Sequence, residues 1–416
     1  NYPLTEVQLR YTKNADNGPV DSTLHEFVRN WNNLYSSPTL KIASINQLFK
    51  QIEAAHGSEI PHVHGGEISP YWEDGAFSTA KEEIEMRQLV RELVLLENHW
   101  NNSERDKSKF IDFYAIHRDV VLFHEHTWGA WCSISDPYSP FTTEQWKYKK
   151  SFLIDAQERI KTIREDVLKY TLPIEQLTAA SNSSIQISQI QIDPTHGGIS
   201  KMKLNNGDVM DFSEVPFFTP VYRIDLHPTS NQSPTIEPPV VIDNAQTQTI
   251  LVKGSFDASC PLEQLNWTYE LNKTTGHLKV HVEVIKSPTL RKESLHFPIH
   301  FGGETSQLIY GSARLEYPKD QLKGSNKEFI CSDGPIVQRG SQYDWFIESS
   351  DLPLIEIGAP IDESQVMGAK VWKRENQNIE KLYLYAFNNY WHTNYMAEQG
   401  DEPIIFDVEF WIGDKK

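Results

Sequence analysis

A chain of 416 residues with a formal charge of −18 is long enough for two or three packed units. Its acidic balance, with no Lys/Arg cluster, argues against nucleic acid and anionic membranes as partners and favours neutral or cationic small molecules. No apolar run approaches the roughly 20 residues of a membrane span. The three cysteines, Cys132, Cys260 and Cys331, are too widely spaced to predict a metal site or a disulfide framework.

The first 65 residues alternate between strand-like and helix-like patterns. Residues 6–11 and 40–43 predict strands, and apolar stripes after positions 23 and 44 predict helices, the second of them capped by Ser44. Two parallel strands with crossover helices cannot form a covered sheet by themselves. We therefore expect residues 1–65 to be the end of an α/β domain, and the chain to be the C-terminal part of a longer protein.

Residues 66–172 have a helical period almost throughout. Three capping motifs open the predicted helices, namely Thr79-x-x-Glu82, Ser103-x-x-Asp106 and Thr142-x-x-Gln145. Three long amphipathic helices predict a three-helix bundle. The connection from His124 to Phe141 is long for a bundle, and loops of that length are often functional.

The second helix ends in the segment Phe123-His124-Glu125-His126-Thr127-Trp128-Gly129. Two histidines that flank an acid can ligate a metal or transfer protons. His117 and His124 share a helix face, however, and a half-buried histidine hydrogen-bonded to a neighbour is the alternative interpretation. Periodicity alone leaves both open.

Residues 173–416 lose the helical period and carry short alternating runs separated by turn residues. The clearest runs are Ile185 to Ile192, Leu278 to Val284 and Ile404 to Trp411. This spacing predicts antiparallel β-sandwiches, so the whole chain is expected to be a multidomain α+β protein.

Three motifs follow one another along the chain. They are Gly66-Glu67-Ile68 followed by Glu73 to Thr79 and a helix rich in Arg and Glu, then Phe123 to Gly129, and finally Asn388 to Tyr395 followed by Gln399-Gly400. In this order they resemble motifs of the glycoside hydrolase family 38 α-mannosidases. The second is similar to that family's Phe-His-Asp-x-x-Pro-Gly, and the third to its Asn-Asn-x-Trp-x-Thr-Asn-aromatic.

The resemblance covers most of the chain and implies an architecture. Members of the family have a barrel-like α/β catalytic domain, a three-helix bundle and large β-sandwich domains. By this resemblance, residues 1–65 are the end of the catalytic domain, 66–172 the bundle, and 173–416 a β-sandwich region of galactose mutarotase-like type. The earlier part of the barrel would be missing.

The resemblance also implies a zinc cofactor. In the family, the histidine of Phe-His-Asp is a ligand of the catalytic zinc, which gives His124 that role. The other ligands would come from the missing N-terminal barrel segment. His126 would orient neighbouring groups, or interact with the last carbonyls of the helix as a helix-end histidine does.

For the substrate, the resemblance implies a carbohydrate and a retaining mechanism. The acid beside the zinc-binding histidine contacts the sugar, which points to Glu125. Asp16 is similar to the family's acidic residue near the substrate and is a candidate acid/base, although an Asp before Asn-Gly is also a frequent turn former. Trp72 and Trp128 could stack on sugar faces or serve as packing anchors.

Several departures from the family pattern indicate a divergent subgroup. Glu125 stands where the family has Asp, and Glu73-Asp74 where it has His-Arg. A non-catalytic carbohydrate-binding protein or pseudoenzyme is the main alternative, and a structural fragment without a ligand is the third. The family suggests a secreted or periplasmic location, and assembly into a homo-oligomer stays open.

Overall fold

The computed structural model describes residues 6–9, 11–13, 18–60, 67, 77–103, 110–125, 128–130, 132–133, 135–170, 184–225, 231–301, 304–360, 375–389 and 402–413. The chain divides into two compact units, residues 1–65 and residues 66–416. Within the described ranges, no helix is long and apolar enough to cross a membrane.

The first unit contains helices α1 (Leu24–Leu34) and α2 (Ile45–His56). The predicted cap is confirmed, because Ser44 Oγ accepts the N–H of Gln47 at 3.3 Å and the Gln47 side chain accepts the N–H of Ser44 at 3.1 Å. The two predicted strands are wrong, since no strand forms in the described part of this unit. Instead, the Asn32 side chain bonds both the N–H and the carbonyl of Leu40 at 2.9 Å. The backbone N–H and carbonyl groups of a strand need hydrogen-bond partners on a neighbouring strand. At Leu40 the side chain of Asn32 is the partner instead.

The second unit begins with helices α3 (Ala80–Asn102), α4 (Tyr114–His124) and α5 (Pro140–Tyr170). Their apolar faces meet in one buried cluster, which includes Met86, Leu93, Trp100, Ile116, Phe123, Leu153, Ala156, Ile160 and Val167. Each helix thus buries one stripe against the other two, as amphipathic helices do.

Helix α3 begins directly after Thr79, as predicted, whereas α5 begins at Pro140, ahead of the predicted start at Thr142. Thr79 precedes α3 without a side-chain cap, and Glu82 instead pairs with Lys150 Nζ at 3.0 Å. Ser103 ends α3 by donating its N–H to the carbonyl of His99 at 3.0 Å, while Asp106 of the second capping motif lies outside the described residues. Ser139 caps α5 in place of Thr142, because its Oγ accepts the N–H of Thr142 at 3.3 Å.

The described residues from 184 onward form three antiparallel sheets. The strands are β1 (Ile187–Ile192), β2 (Ile199–Leu204), β3 (Val209–Asp211), β4 (Val221–Ile224), β5 (Asn231–Gln232), β6 (Thr235–Ile236), β7 (Val240–Asp243), β8 (Thr247–Ser255), β9 (Leu262–Asn272), β10 (His277–Lys286), β11 (Glu293–Ile299), β12 (Thr305–Tyr310), β13 (Leu315–Tyr317), β14 (Phe329–Cys331), β15 (Ile336–Gly340), β16 (Asp344–Glu348), β17 (Leu354–Ile357), β18 (Leu382–Asn388) and β19 (Ile404–Gly413). The three alternating runs in the sequence correspond to β1, β10 and β19, which confirms those predictions.

The strands are ordered β1-β2-β3 in the small sheet and β14-β17-β18-β11-β4-β5 in a six-stranded sheet. The ten-stranded sheet runs β13-β12-β15-β16-β19-β10-β9-β8-β6, with β7 paired to β8. The two larger sheets pack face to face. Phe297 of β11 contacts Phe406 of β19 with ring centroids 5.8 Å apart, and Phe218 stacks on Phe297 at 4.5 Å. This apolar layer between two sheets is a β-sandwich core.

Helix α3 is tied to the β-structure. Phe77, Ala80 and Ile84 are buried in the sandwich core. Further along, Arg91 donates from Nη1 to the carbonyl of Ser350 and from Nη2 to Asp351 Oδ1, both at 2.7 Å. Asp351 Oδ2 in turn accepts the N–H of Asp407 in β19 at 3.0 Å. The start of α3 therefore has a fixed position on the sandwich.

Candidate functional site

His124 is the last residue of α4, where the helix leaves its final carbonyls without intrahelical partners. Its Nδ1 lies 3.0 Å from the carbonyl of Val120, and its Nε2 lies 3.2 Å from Oε1 of Glu83 on α3. The imidazole keeps 38% of its surface exposed, whereas the Glu83 side chain keeps 9%. The carbonyl contact requires hydrogen on Nδ1, which leaves Nε2 as the nitrogen for a proton or a metal.

A bare Nε2 lone pair facing a carboxylate oxygen would be repulsive, so the His124–Glu83 contact favours a cation at that nitrogen. Burial alone would lower the pKa of His124, but the hydrogen bond and the negative charge of Glu83 outweigh it and raise the pKa above its usual value. The contact with Glu83 therefore stabilises the protonated form of His124.

Glu125 follows His124 and is exposed, with 60% of its side-chain surface accessible. Its Oε2 lies 3.6 Å from Nζ of Lys149, which is buried and also donates to the carbonyl of Leu122 at 2.6 Å. Burial lowers the pKa of Lys149, and the charge of Glu125 opposes that effect. A lysine at the C-terminus of a helix stabilises its terminal carbonyls, so Lys149 fixes the end of α4 from which His124 and Glu125 project.

Trp128 lies inside the helical cluster. Only 5% of it is exposed, and its ring meets Phe123 at 4.9 Å and Trp146 at 6.0 Å, both edge to face. Of the two interpretations of Trp128, the packing anchor accounts for this burial. We refer below to His124, Glu125, Glu83, Lys149 and Trp128 as the α4 corner.

Three other predicted site residues, Asp16, Trp72 and His126, lie outside the described part of the chain. Of the predicted site residues, the α4 corner brings together His124, Glu125 and Trp128. Within the ranges the structure describes, no group of three or more His, Cys, Asp or Glu side chains could hold a metal ion.

Two members of the α4 corner, Glu83 and Lys149, are not indicated by the sequence motifs. Each falls on the apolar stripe of its helix, Glu83 three residues after Ala80 and Lys149 four residues before Leu153. Both are buried. A charged residue on a helix face that packs against the core requires a partner of opposite charge or a hydrogen bond. The charged positions 83 and 149 within apolar stripes are therefore the signal in the sequence that could have identified these two residues.

The other two motifs contain residues that hold the β-structure together. Asn389 accepts the N–H of Glu293 at 2.7 Å on Oδ1 and donates from Nδ2 to the carbonyl of Arg291 at 2.7 Å. Glu67 accepts hydrogen bonds from the hydroxyl of Tyr310 and from Gln321 Nε2. In the described residues, these motif positions fix connections between strands.

The comparisons with known proteins concern the fold. Neither a protein-family model nor a curated protein sequence matches the chain. Among solved structures, an α-mannosidase from Enterococcus faecalis V583 matches with a TM-score of 0.57 and 10% identity over 96% of this chain. A glycosyl hydrolase family 38 protein from Enterococcus faecalis matches with a TM-score of 0.55 and 10% identity, also over 96%. The chain spans 62% and 63% of the lengths of these two proteins. It is therefore similar in fold to the family 38 α-mannosidases along nearly all of its length.

Proposed function

We propose that the protein containing this chain is a zinc-dependent retaining glycoside hydrolase similar to the α-mannosidases, with His124 as one of its metal ligands. The observation that carries the proposal is the geometry of His124, whose Nδ1 is held by the Val120 carbonyl while Nε2 faces Glu83. This arrangement is the usual one for a metal-binding histidine, in which the other ring nitrogen is fixed by a carbonyl or carboxylate. The likeness in fold supports the same proposal.

The donors of the α4 corner fit zinc in kind but not in number. Zinc takes imidazole nitrogen and carboxylate oxygen, and about three protein ligands plus an open position are usual in a catalytic site. His124 and Glu83 supply at most two donors, so the proposal assigns the further ligands to an N-terminal barrel segment. When bound, zinc would hold the sugar hydroxyls and favour distortion of the ring.

The remaining roles belong to the chain's own side chains. Glu125 is exposed beside His124 and would accept hydrogen bonds from sugar hydroxyls. Lys149 would keep that carboxylate near the imidazole. Asp16 is proposed as the acid/base, which in a retaining enzyme stands about 5 Å from the nucleophile. Trp72 would stack on the sugar, and His126 would orient its neighbours.

The finer architecture is part of the same proposal. Residues 1–65 would close a barrel-like catalytic domain, α3 to α5 would correspond to the family's three-helix bundle, and the β-region to its mutarotase-like sandwich. The substitutions around Glu125 would mark a divergent subgroup, and a secreted or periplasmic location is proposed from the resemblance alone.

The test is to measure zinc content and aryl α-mannosidase activity of the full-length parent beside two variants. His124→Ala should lose both metal and activity. His117→Ala is the matched control, because His117 lies on the same helix and pairs with Glu97 at 2.6 Å, outside the α4 corner. It should keep both properties. A parent that binds zinc but leaves mannosides intact would refute the substrate, and a parent without metal would favour a non-catalytic carbohydrate-binding protein or pseudoenzyme.

A further inference from the structure

A cleft lies on the outer face of the ten-stranded sheet, with a volume of about 420 Å³. Its lining includes Thr249, Glu270, Asn272, His277, Lys279 and Glu409. We call it the β9–β10 cleft. Pockets of roughly 300–1,000 Å³ are the usual size for small-molecule sites. None of these residues belongs to the α4 corner.

Strand pairing fixes the cleft residues in two parallel rows. Asn272 of β9 is paired with His277 of β10. In the next row on the same face, Glu270 is paired with Lys279, and Lys279 with Glu409 of β19. Because side chains of one face repeat every second residue, both rows project to the outside. The side chains are therefore positioned by regular strands, which hold a site more rigidly than loops do.

A column of parallel rings leads to the cleft. Phe346 stacks on Trp411 with centroids 5.2 Å apart and an interplanar angle of 9°. Trp411 stacks on His277 at 5.0 Å and 1°. His277 is the last ring of this column among the ring stacks of the described residues, and it lines the cleft. Glu409 Oε1 lies 2.6 Å from His277 Nδ1 and fixes the orientation of this ring.

The polar groups of the cleft select the class of ligand. Glu270 and Glu409 are carboxylates, which accept hydrogen bonds, while Lys279 is engaged with Asp407 at 2.8 Å. Asn272 Oδ1 accepts the N–H groups of Thr274 and Thr275 at 2.9 and 3.1 Å, so its amide N–H₂ is the group that it can offer. Two carboxylates would repel a phosphate or carboxylate ligand, as would the overall charge of −18. Ligand hydroxyl groups both donate and accept hydrogen bonds, so they can pair with the two carboxylates and with the Asn272 amide N–H₂.

We propose that the β9–β10 cleft binds a neutral saccharide, with one sugar ring against His277 and its hydroxyls bonded to Glu270, Glu409 and Asn272. A flat ring beside hydrogen-bonding groups suits a sugar, because a sugar has an apolar C–H face and polar edges. The site is a binding site without catalysis, and it does not depend on the metal or on the activity proposed for the α4 corner.

Isothermal titration of the full-length protein with mannotriose and with cellotriose tests this proposal. At least one of these neutral sugars should bind with a dissociation constant of about 1 mM or tighter. Glu270→Ala and His277→Ala should each weaken that binding at least about tenfold, equivalent to the loss of roughly 1.4 kcal/mol. Glu270 is exposed, so its variant should fold as the wild type does.

Glu283→Ala is the matched control, since Glu283 lies on β10 away from the cleft and bonds Asn266 at 3.0 Å. It should bind as the unaltered cleft does. All of these titrations use protein that carries His124→Ala, so that sugar binding at the α4 corner does not contribute. The proposal is overturned if neither sugar binds, or if both cleft variants bind normally. It is also overturned if glucosamine, a cation, binds and the neutral sugars do not.

Discussion

Lys286 Nζ lies 3.0 Å from Glu293 Oε1, and both side chains are wholly buried. The hydroxyl of Tyr222 donates to the other carboxylate oxygen at 2.6 Å. Burial raises the pKa of Glu293, while Lys286 and Tyr222 oppose that rise. The charges thus stabilise each other in a place where either one alone would be costly.

Removing one partner of this pair should destabilise the protein strongly. We expect Lys286→Met to lower the free energy of unfolding by about 3–5 kcal/mol, because it leaves a buried carboxylate without its counter-ion. Urea unfolding at pH 7 measures the loss. The double variant Lys286→Met/Glu293→Gln should recover at least half of it, since no buried charge remains. A cost below about 1 kcal/mol, the value of an exposed pair, would contradict this view.

Truncation of Trp128 separates its packing role from a role in sugar binding. Trp128→Ala should lower the free energy of unfolding by about 3–5 kcal/mol, because it opens a cavity between Phe123 and Trp146. Trp128→Phe should lose much less, since it keeps a ring in the cluster. Thermal unfolding provides the measurement. A fully stable Trp128→Ala variant with weakened substrate affinity would instead support the sugar-stacking interpretation.

Gly197 should not tolerate a side chain. Its φ is +73°, and a Cβ there would overlap the ring of Trp267. Its carbonyl also accepts hydrogen bonds from Trp267 Nε1 at 3.2 Å and from the Tyr269 hydroxyl at 3.1 Å. We expect Gly197→Ala to cost more than about 3 kcal/mol in urea unfolding, since steric overlap adds to the backbone strain.

Gly207 provides the control for this substitution. Its φ is +96°, but no atom lies within 4 Å of an added Cβ. Gly207→Ala should therefore show backbone strain alone, about 1–2 kcal/mol. Equal costs at the two glycines would mean that the contact with Trp267 contributes nothing.

Lys292 should give the stability a distinct dependence on pH. Burial lowers the pKa of Lys292 from 10.5 to about 8. Between these values the unfolded chain binds more protons than the folded protein, so stability should rise as pH increases from 8 towards 10.5. Lys292→Met should remove this slope and raise stability at pH 7 by roughly 1–2 kcal/mol, allowing for partial exposure.

Urea midpoints at pH 7 and pH 9.5 would reveal this effect, with the comparison made against the wild type. Lys253→Met replaces an exposed lysine of β8 and should preserve the wild-type pH dependence. An unchanged slope in Lys292→Met would show that some other group titrates in this range.

The sequence predicts elements well where one pattern suffices. The alternating run at Leu278 to Val284 defines β10, because a strand buried on one face has to alternate. The stripe that includes Leu153, Ile160 and Val167 likewise defines α5. Helix starts are harder to predict, because several polar residues compete for the same cap. Ser139 rather than Thr142 caps α5, although both can accept a backbone N–H.

The α4 corner could be predicted only in part. The motif around His124 indicates the imidazole and the neighbouring acid, but its partner Glu83 lies 41 positions earlier in the chain. A contact over that distance depends on how α3 and α4 pack, which no local pattern encodes. The same limit applies to the β9–β10 cleft, since Glu270 and Glu409 come together only through the pairing of three strands.

One helix belongs to two hydrophobic cores. The first turns of α3 contribute Ala80 and Ile84 to the sandwich, while Met86, Leu93 and Trp100 belong to the helical cluster. Melting of either core would therefore strip apolar contacts from the other, and residues 66–416 should unfold as one cooperative block. A fragment that contains only α3 to α5 would expose Ile84 and lose the anchor at Asp351. Such a fragment would be a poor substitute for the whole region in any study of His124.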